Sequence, residues 1–338
     1  MTYRIAINGF GRIGRQILRL AQKPAYQNLE IVAINDLSDA KILGHLFKYD
    51  SVHGTYAGTV STQNSNLVVD GKTIQVLQIG QVDELPWKKL KIDLVLECTG
   101  HFTKDKKAFL HLKAGAKKVI ISAPSSDADL GIVMGMNEDR YDPKQHHVIS
   151  NASCTTNCLG MITKVLHEAF FIEKASMTTI HAYTKDQRLL DAPHSDLRRA
   201  RAAGVSMIPT TTGAAKAITA LFPHLKNKFH GISIRVPTTD VSLVDLGAVV
   251  QKKTSVQKVN EVFRKAAFGS LKKFLGYTEE PLVSCDFLKD ERSAIVDALS
   301  TEVIDETFVK IVAWYDNEIG FSARMLDLAE HLYAHPVH

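Results

Sequence analysis

Asn8-Gly9-Phe10-Gly11-Arg12-Ile13-Gly14 decides how the first half of this chain folds. Tyr3 to Asn8, just before it, alternates apolar and other residues as a strand does. Ile13, Ile17, Leu18 and Leu20, within and after it, recur at helical spacing. A glycine-rich turn between a strand and a helix has a definite use. Gly9 permits the tight turn, Gly11 lets the backbone approach a pyrophosphate, and Gly14 allows the helix to pack closely on the strand. The helix N-terminus then offers N–H groups and a positive dipole end to the anion. The second strand, Leu29 to Ile34, ends at Asn35-Asp36, so Asp36 lies 22 residues beyond Gly14 (36 − 14). A carboxylate there can accept hydrogen bonds from an adenosine ribose and would repel a 2′-phosphate, which favours NAD over NADP.

Working outward, the same texture continues to about residue 150. Leu94-Val95-Leu96 precedes Cys98-Thr99-Gly100, Val119-Ile120-Ile121 precedes Ser122-Ala123-Pro124, and Val148-Ile149 precedes Ser150-Asn151. Short apolar strands ending in small polar residues point to a parallel sheet with its ligand at the strands' carboxyl ends. After residue 154 the pattern changes. A helix is expected from about Thr155 to Ala169 and a strand over Ala175 to Ile180. Gly231 to Val236, Val241 to Val250 and Phe308 to Tyr315 read as longer alternating strands. Such strands favour an antiparallel or mixed sheet with one face covered. Ile319 to Leu332 has apolar residues at helical spacing. The fold class is therefore α/β for the first part and α+β for the second.

Bulk properties narrow the function. A chain of 338 residues, 45% apolar and 23% charged, suits a globular protein of two domains. A net charge of +5 without a long Lys/Arg run permits anionic ligands but does not indicate nucleic acid. No stretch of roughly 18 apolar residues implies a membrane span. A strand that begins almost at once argues against a signal peptide. Cys98, Cys154, Cys158 and Cys285 do not make a disulfide framework in a chain of this length, and a reducing cytoplasm fits. Cys98 and Cys285 read as buried, inert thiols. No set of metal ligands is assigned.

The chemistry centres on Ser153-Cys154-Thr155-Thr156-Asn157 and on His181, 27 residues later. A thiol of ordinary pKa ~8.5 is mostly protonated at neutral pH. A helix N-terminus and a nearby imidazole would both activate it. Alone, a cysteine and a distant histidine are more often unrelated residues. Beside a nicotinamide site they specify oxidation of an aldehyde through a thioester. Cys158, one helical turn on, reads as packed inside. Thr210-Thr211-Thr212-Gly213 before a helix resembles an anion nest. Arg235, in the apolar strand Ile232 to Val236, needs either a carboxylate partner or a bound anion. Arg198, Arg199 and Arg201 read mainly as a solvated face or a subunit contact.

These motifs together resemble one family. Asn8 to Arg15, Lys48-Tyr49-Asp50-Ser51-Val52-His53-Gly54, Ser150 to Cys158, His181-Ala182-Tyr183-Thr184, Asp196 to Ala203, Ile208 to Lys216 and Trp314-Tyr315-Asp316-Asn317-Glu318 are similar, in order, to phosphorylating glyceraldehyde-3-phosphate dehydrogenases. The resemblance spans essentially the whole chain. It implies a Rossmann dinucleotide-binding domain over 1–153, completed by a C-terminal helix over 318–338, and a catalytic domain over 154–317. It implies reversible oxidative phosphorylation of D-glyceraldehyde 3-phosphate to 1,3-bisphosphoglycerate, in glycolysis and gluconeogenesis. Cys154 would be the nucleophile and His181 the base. Gly9, Gly11, Arg12, Ile13, Gly14, Asp36, Thr99 and Ser122 would hold the cofactor, and Asn317 would fix its nicotinamide carboxamide. Thr184 and Arg235 would take the substrate's phosphate. Ser153, Thr155, Thr212 and Gly213 would take inorganic phosphate, with Arg199 on the substrate side. A homotetramer is the family's usual assembly.

The alternatives are an erythrose-4-phosphate dehydrogenase, which hands the thioester to water, and a non-catalytic thiol sensor on the same fold. Three positions depart from the family pattern: Gly80 for Arg or Lys, Gly160-Met161 for Ala-Pro, and Ala192-Pro193 for Leu-Pro. The smaller Ala192 resembles forms that admit NADP, so NAD is expected with NADP use left open.

Overall fold

The computed structural model describes residues 2–336. The chain divides into two compact units. One runs to Ala152 and takes up the chain again from Ser322; the other is Ser153–Phe321.

The first unit contains β1 (Tyr3–Asn8), α1 (Arg12–Ala21), β2 (Leu29–Asn35), α2 (Ala40–Lys48), β3 (Val60–Gln63), β4 (Asn66–Val69) and β5 (Lys72–Leu77). It continues with α3 (Trp87–Leu90), β6 (Leu94–Glu97), α4 (Leu110–Lys113), β7 (Lys118–Ile121), β8 (Leu130–Gly131) and β9 (Val148–Ser150). The strands lie in the order β3-β4-β5-β2-β1-β6-β7-β9-β8. From β5 to β8 all neighbours are parallel, and β3, β4 and β5 are joined antiparallel. This is the α/β arrangement that the strand endings implied. The order runs outward from β1 on both sides, so the carboxyl ends of β1 and its neighbours form a topological switch point, where such sheets bind ligands.

The parallel strands are buried because both faces are covered. Ala6, Ala33, Val95, Val119 and Val148 share one cluster with Leu85, Trp87 and Ile92. The glycine loop is as tight as its sequence requires. Gly9 has φ +91°, and a Cβ on it would lie 2.7 Å from the Thr99 nitrogen. A Cβ on Gly14 would lie 2.4 Å from the Gly9 carbonyl oxygen.

The second unit begins with α5 (Cys154–Phe170), followed by β10 (Ile172–Ala182), β11 (Ile208–Thr211), α6 (Ala214–Leu221), β12 (Phe229–Val236) and β13 (Ser242–Val250). It ends with α7 (Val256–Phe268), β14 (Leu275–Thr278), β15 (Ala294–Ile304) and β16 (Phe308–Tyr315). The sheet order is β11-β12-β10-β13-β16-β15-β14. The pairs β10–β12 and β14–β15 are parallel and the rest antiparallel, a mixed sheet. Along β13, Val244, Leu246, Ala248 and Val250 are buried while the residues between them are half-buried. That period of two marks one covered face. α5 lies against β13, β15 and β16, flanked by α6 and α7, and is buried over most of its length.

The chain closes with α8 (Ile319–Ala334). Within the first unit, Tyr26 Oη donates to Asp327 Oδ1 (3.2 Å), and the rings of Tyr3 and Tyr333 lie 5.6 Å apart. Of the helix expected over 318–338, residues 337 and 338 lie outside the described residues.

Two details differ from the sequence reading. α5 starts at Cys154 itself, not at Thr155, which puts the thiol in the first turn. Cys285 is exposed, not buried, and Cys98 is half-buried. Cys285 sits in a short turn at Ser284–Phe287, outside the sheet, where only Phe287 is buried; its apolar neighbours in sequence misled.

Candidate active site

Ser153 explains where α5 begins. It is extended, and its hydroxyl accepts from the Thr156 N–H at 3.0 Å, an N-cap in the usual sense. The preceding Ala152 has φ +55°, in the left-handed region that a side chain resists. This turn delivers Cys154 to the helix start. Its Sγ lies 3.5 Å from His181 Nε2, near the end of β10.

The imidazole is oriented from behind. His181 Nδ1–H donates to the Ala182 carbonyl at 2.6 Å, which leaves the Nε2 lone pair facing the thiol. Burial, and then the charge of Arg235, push His181 down to about 3. The imidazole is therefore a neutral base at physiological pH. Burial pushes the Cys154 thiol up, while Arg235 and the bonds to Thr155 pull it partly back. The arrangement is a thiol facing a free lone pair, ready to pass its proton when a nucleophile is needed.

Arg235 stands opposite His181 in the parallel register of β10 and β12. Its Nη1 donates to the Ala182 carbonyl (3.3 Å) and the Thr184 hydroxyl (3.4 Å). Because Nδ1 of His181 is already a donor, the 3.3 Å approach of Nη1 to it is electrostatic, not a hydrogen bond. Arg235 Nε is buried without a partner, and no carboxylate among the described residues forms an ion pair with this side chain. Of the two readings open for Arg235, the buried ion pair is not seen among the described residues, and a bound anion is the partner its buried charge leaves room for.

Around this core the second unit places most of the other expected residues. Thr155 Oγ1, Tyr315 Oη and Thr179 Oγ1 form a chain with two 2.9 Å links. The Tyr315 ring meets the His181 ring edge-on, with centroids 6.0 Å apart. Ser242 Oγ accepts from the Ala182 N–H (3.0 Å) and donates to Asn317 Oδ1 (2.6 Å). With Oδ1 engaged, the Asn317 amide N–H₂ is left as the donor of that side chain. Thr184 N–H donates to Gln187 Oε1 (2.7 Å).

Arg199, Thr212 and Gly213 form a second group. Arg199 pairs with Asp186, donates to Thr210 Oγ1 (2.9 Å) and reaches the Thr211 carbonyl (3.3 Å). Its charge is felt at His181. Thr212 Oγ1 accepts from Ala214 N–H (3.2 Å), and Gly213 opens α6.

The first unit holds the expected cofactor residues. No side chain caps α1 at Gly11. A Cβ on Gly11 would meet no atom within 4 Å, whereas Gly9 and Gly14 admit none. The loop is closed toward the protein and open outward, which fits a pyrophosphate cradle. Asp36 is fixed beside it: Oδ2 accepts from Phe10 N–H (2.9 Å) and Oδ1 from Ser38 N–H (3.1 Å). Arg12 Nη1 donates to Asp50 Oδ2 at 2.6 Å. Thr99 donates through both its N–H and its hydroxyl to Glu97 Oε1, and Ser122 N–H donates to the Glu97 carbonyl (2.9 Å). Ile13 is half-buried in the first turn of α1.

Four supporting residues carried no role in the sequence reading: Tyr315, Ser242, Asp50 and Glu97. Asp50 receives Arg12, Gln16 Nε2 (3.0 Å) and the N–H groups of Val52 and His53 (each 2.9 Å). Burial would raise its carboxyl, but these donors outweigh that and hold it well below the usual range. A carboxylate two residues past an apolar helix end, and a Glu closing an otherwise apolar strand, were the available signals.

Known proteins are similar to this chain along nearly its whole length. Residues 3–105 match the family model described as glyceraldehyde 3-phosphate dehydrogenase, NAD binding domain, and residues 153–317 match its C-terminal domain. The glyceraldehyde-3-phosphate dehydrogenase of Geobacillus stearothermophilus is 56% identical over 332 residues, covering 98% of both chains. That of Priestia megaterium is 54% identical over 334 residues, covering 99% of both. Glyceraldehyde-3-phosphate dehydrogenase 1 of Bacillus subtilis is 52% identical over 332 residues, covering 98% of both.

Proposed function

The chain belongs to the glyceraldehyde-3-phosphate dehydrogenase family, and on that premise we propose how its own residues perform the reaction. It is a nicotinamide-dependent oxidoreductase that oxidises glyceraldehyde 3-phosphate in glycolysis. The observation that carries the residue assignment is the 3.5 Å approach of Cys154 Sγ to the lone-pair nitrogen of His181, with Arg235 beside it and no carboxylate among the described residues paired with that arginine.

Cys154 Sγ passes its proton to His181 Nε2 and adds to the aldehyde carbon, and the imidazolium returns that proton to the new alkoxide, giving a hemithioacetal and a neutral Nε2 again. Arg235 and Thr184 hold the substrate's phosphate and thereby position the aldehyde over the thiol. A base at Nε2 takes the hemithioacetal hydroxyl proton as the carbon is oxidised to the thioester. The nicotinamide, when bound, supplies the acceptor for the hydride. Inorganic phosphate then attacks the thioester carbonyl, Cys154 leaves as thiolate, and 1,3-bisphosphoglycerate is released. Ser153, Thr155, Thr212, Gly213 and Arg199 supply hydroxyls, an N–H and charge for that second anion. In the first unit, Gly9, Gly11, Arg12, Ile13 and Gly14 cradle the pyrophosphate, Asp36 takes the adenosine ribose, and Thr99 and Ser122 line the site. Asn317 donates its amide to the nicotinamide carboxamide.

NAD is the proposed cofactor: Asp36, fixed just past β2 by the Phe10 and Ser38 N–H groups, would accept from an adenosine ribose and repel a 2′-phosphate. A homotetramer is proposed as well. The segment between β10 and β11 exposes Leu189, Leu190, Leu197, Val205 and Met207 together, which suits contact with a second copy. Light scattering checks the mass in solution. A reducing, cytoplasmic setting suits four free thiols, one of them exposed. No helix among the described residues is long and apolar enough to cross a membrane.

One assay matrix tests the reading: glyceraldehyde 3-phosphate or erythrose 4-phosphate, NAD or NADP, with and without inorganic phosphate. The fastest turnover is expected with glyceraldehyde 3-phosphate, NAD and phosphate together. Sustained turnover of erythrose 4-phosphate without phosphate would instead select the hydrolytic activity.

A further inference from the structure

We propose that Glu97, with His111 and Trp87 behind it, is the positioning device of the cofactor half. It holds Thr99 and the glycine loop in the geometry that binds the dinucleotide. The inference rests on the cofactor roles proposed above for Gly9 and Thr99.

Glu97 closes β6 and is 1% exposed; His111 and Trp87 are each 0% exposed. A carboxylate buried so deeply is costly unless its lone pairs are filled. Four donors converge on it. Asn8 Nδ2 (2.6 Å) and His111 Nε2 (3.0 Å) reach Oε2, and the N–H (2.8 Å) and hydroxyl of Thr99 reach Oε1. The tautomer of His111 follows by elimination. The Trp87 indole Nε1 can only donate, and it lies 3.0 Å from His111 Nδ1. Nδ1 is therefore the acceptor, and the ring proton sits on Nε2, pointed at Glu97. The chain Trp87 to His111 to Glu97 is directional, and each link fixes the next.

The same carboxylate ties three strand ends together. Asn8 Oδ1 accepts from Asn35 Nδ2 (2.8 Å), and Asn35 exchanges two 3.0 Å bonds with the Ile79 backbone. These ends of β1, β2 and β6 form the switch point of the sheet. Thr99 is packed so closely on Gly9 that a Cβ there would lie 2.7 Å from its nitrogen. A shift of Thr99 toward Gly9 would therefore press on the glycine loop. Apolar side chains of similar volume would hold three strands together as well or better. What the carboxylate adds is a fixed acceptor for both donors of Thr99.

The test uses the full-length chain and NAD. His111→Leu leaves Glu97 Oε2 and the Trp87 indole each short of a partner. It is expected to weaken NAD binding about tenfold, or about 1.4 kcal/mol, with kcat at saturating NAD changed less than about twofold. His111→Gln can donate to Glu97 and accept from Trp87 with one amide, and should recover the affinity to within about threefold. A folded His111→Leu chain with unchanged NAD affinity overturns the inference, as does a Gln variant no better than Leu. If His111→Leu does not fold, the wild-type chain decides. Its Trp87 indole N–H resonance, assigned with Trp87→Phe, is expected to move on saturation with NAD, and an unmoved resonance overturns the inference. A wild-type chain that binds no NAD would refute the cofactor reading itself, which separates the two failures.

Discussion

Cys154→Ser should reduce glyceraldehyde 3-phosphate oxidation by about 10⁴–10⁶-fold while leaving NAD affinity unchanged. The size follows from the base beside it. His181 is pushed down to about 3 by burial and by Arg235. So weak a base activates a thiol far better than it activates the much less acidic, less nucleophilic hydroxyl of serine. Cys158 cannot substitute, because it is fully buried and its thiol faces the Ala313 carbonyl at 3.9 Å. Serine has nearly the volume of cysteine and leaves the Ser153 cap intact, so α5 should keep its start. Initial rates of NADH formation, with cofactor affinity measured in parallel, check this. A serine variant within about tenfold of wild type would remove Cys154 from the nucleophile's role.

His181→Asn should slow thioester formation by about 10²–10⁴-fold with NAD binding retained. Without Nε2, only thiol that has already ionised can attack. Burial holds the Cys154 thiol up, so little thiolate exists at neutral pH. The residual rate of the variant should then climb about tenfold per pH unit until the thiol titrates. Stopped-flow measurement of the first turnover across pH reads both quantities. A variant with the wild-type rate, or one slowed but flat with pH, would show that His181 is not the proton acceptor.

The legible part of the molecule was the part that local pattern controls. The glycine loop needs a positive φ at Gly9 and no Cβ at Gly14, and those demands are written directly in residue type. The alternation along β13 marked the covered face of the second sheet before any register was known. Cys154 and His181 were individually visible, but their contact depends on β10 lying beside α5, a long-range fact that spacing does not encode. Arg235 shows the same limit. Its strand announced that it needed a partner, yet only the folded chain shows that no carboxylate among the described residues pairs with it. Glu97 and Asp50 were passed over because their importance lies in how many donors converge on them, and those donors come from distant segments. Cys285 is exposed although its sequence neighbours include apolar residues, because neighbours in sequence are not neighbours in space.

The covalent step through Cys154 is most directly tested by mixing the chain rapidly with NAD and glyceraldehyde 3-phosphate in the absence of inorganic phosphate. The account predicts a burst of one NADH per chain that then stalls, an acyl group found on the peptide bearing Cys154, and turnover that resumes when phosphate is added. Steady NADH production without phosphate, or a burst that leaves Cys154 unmodified, would contradict it.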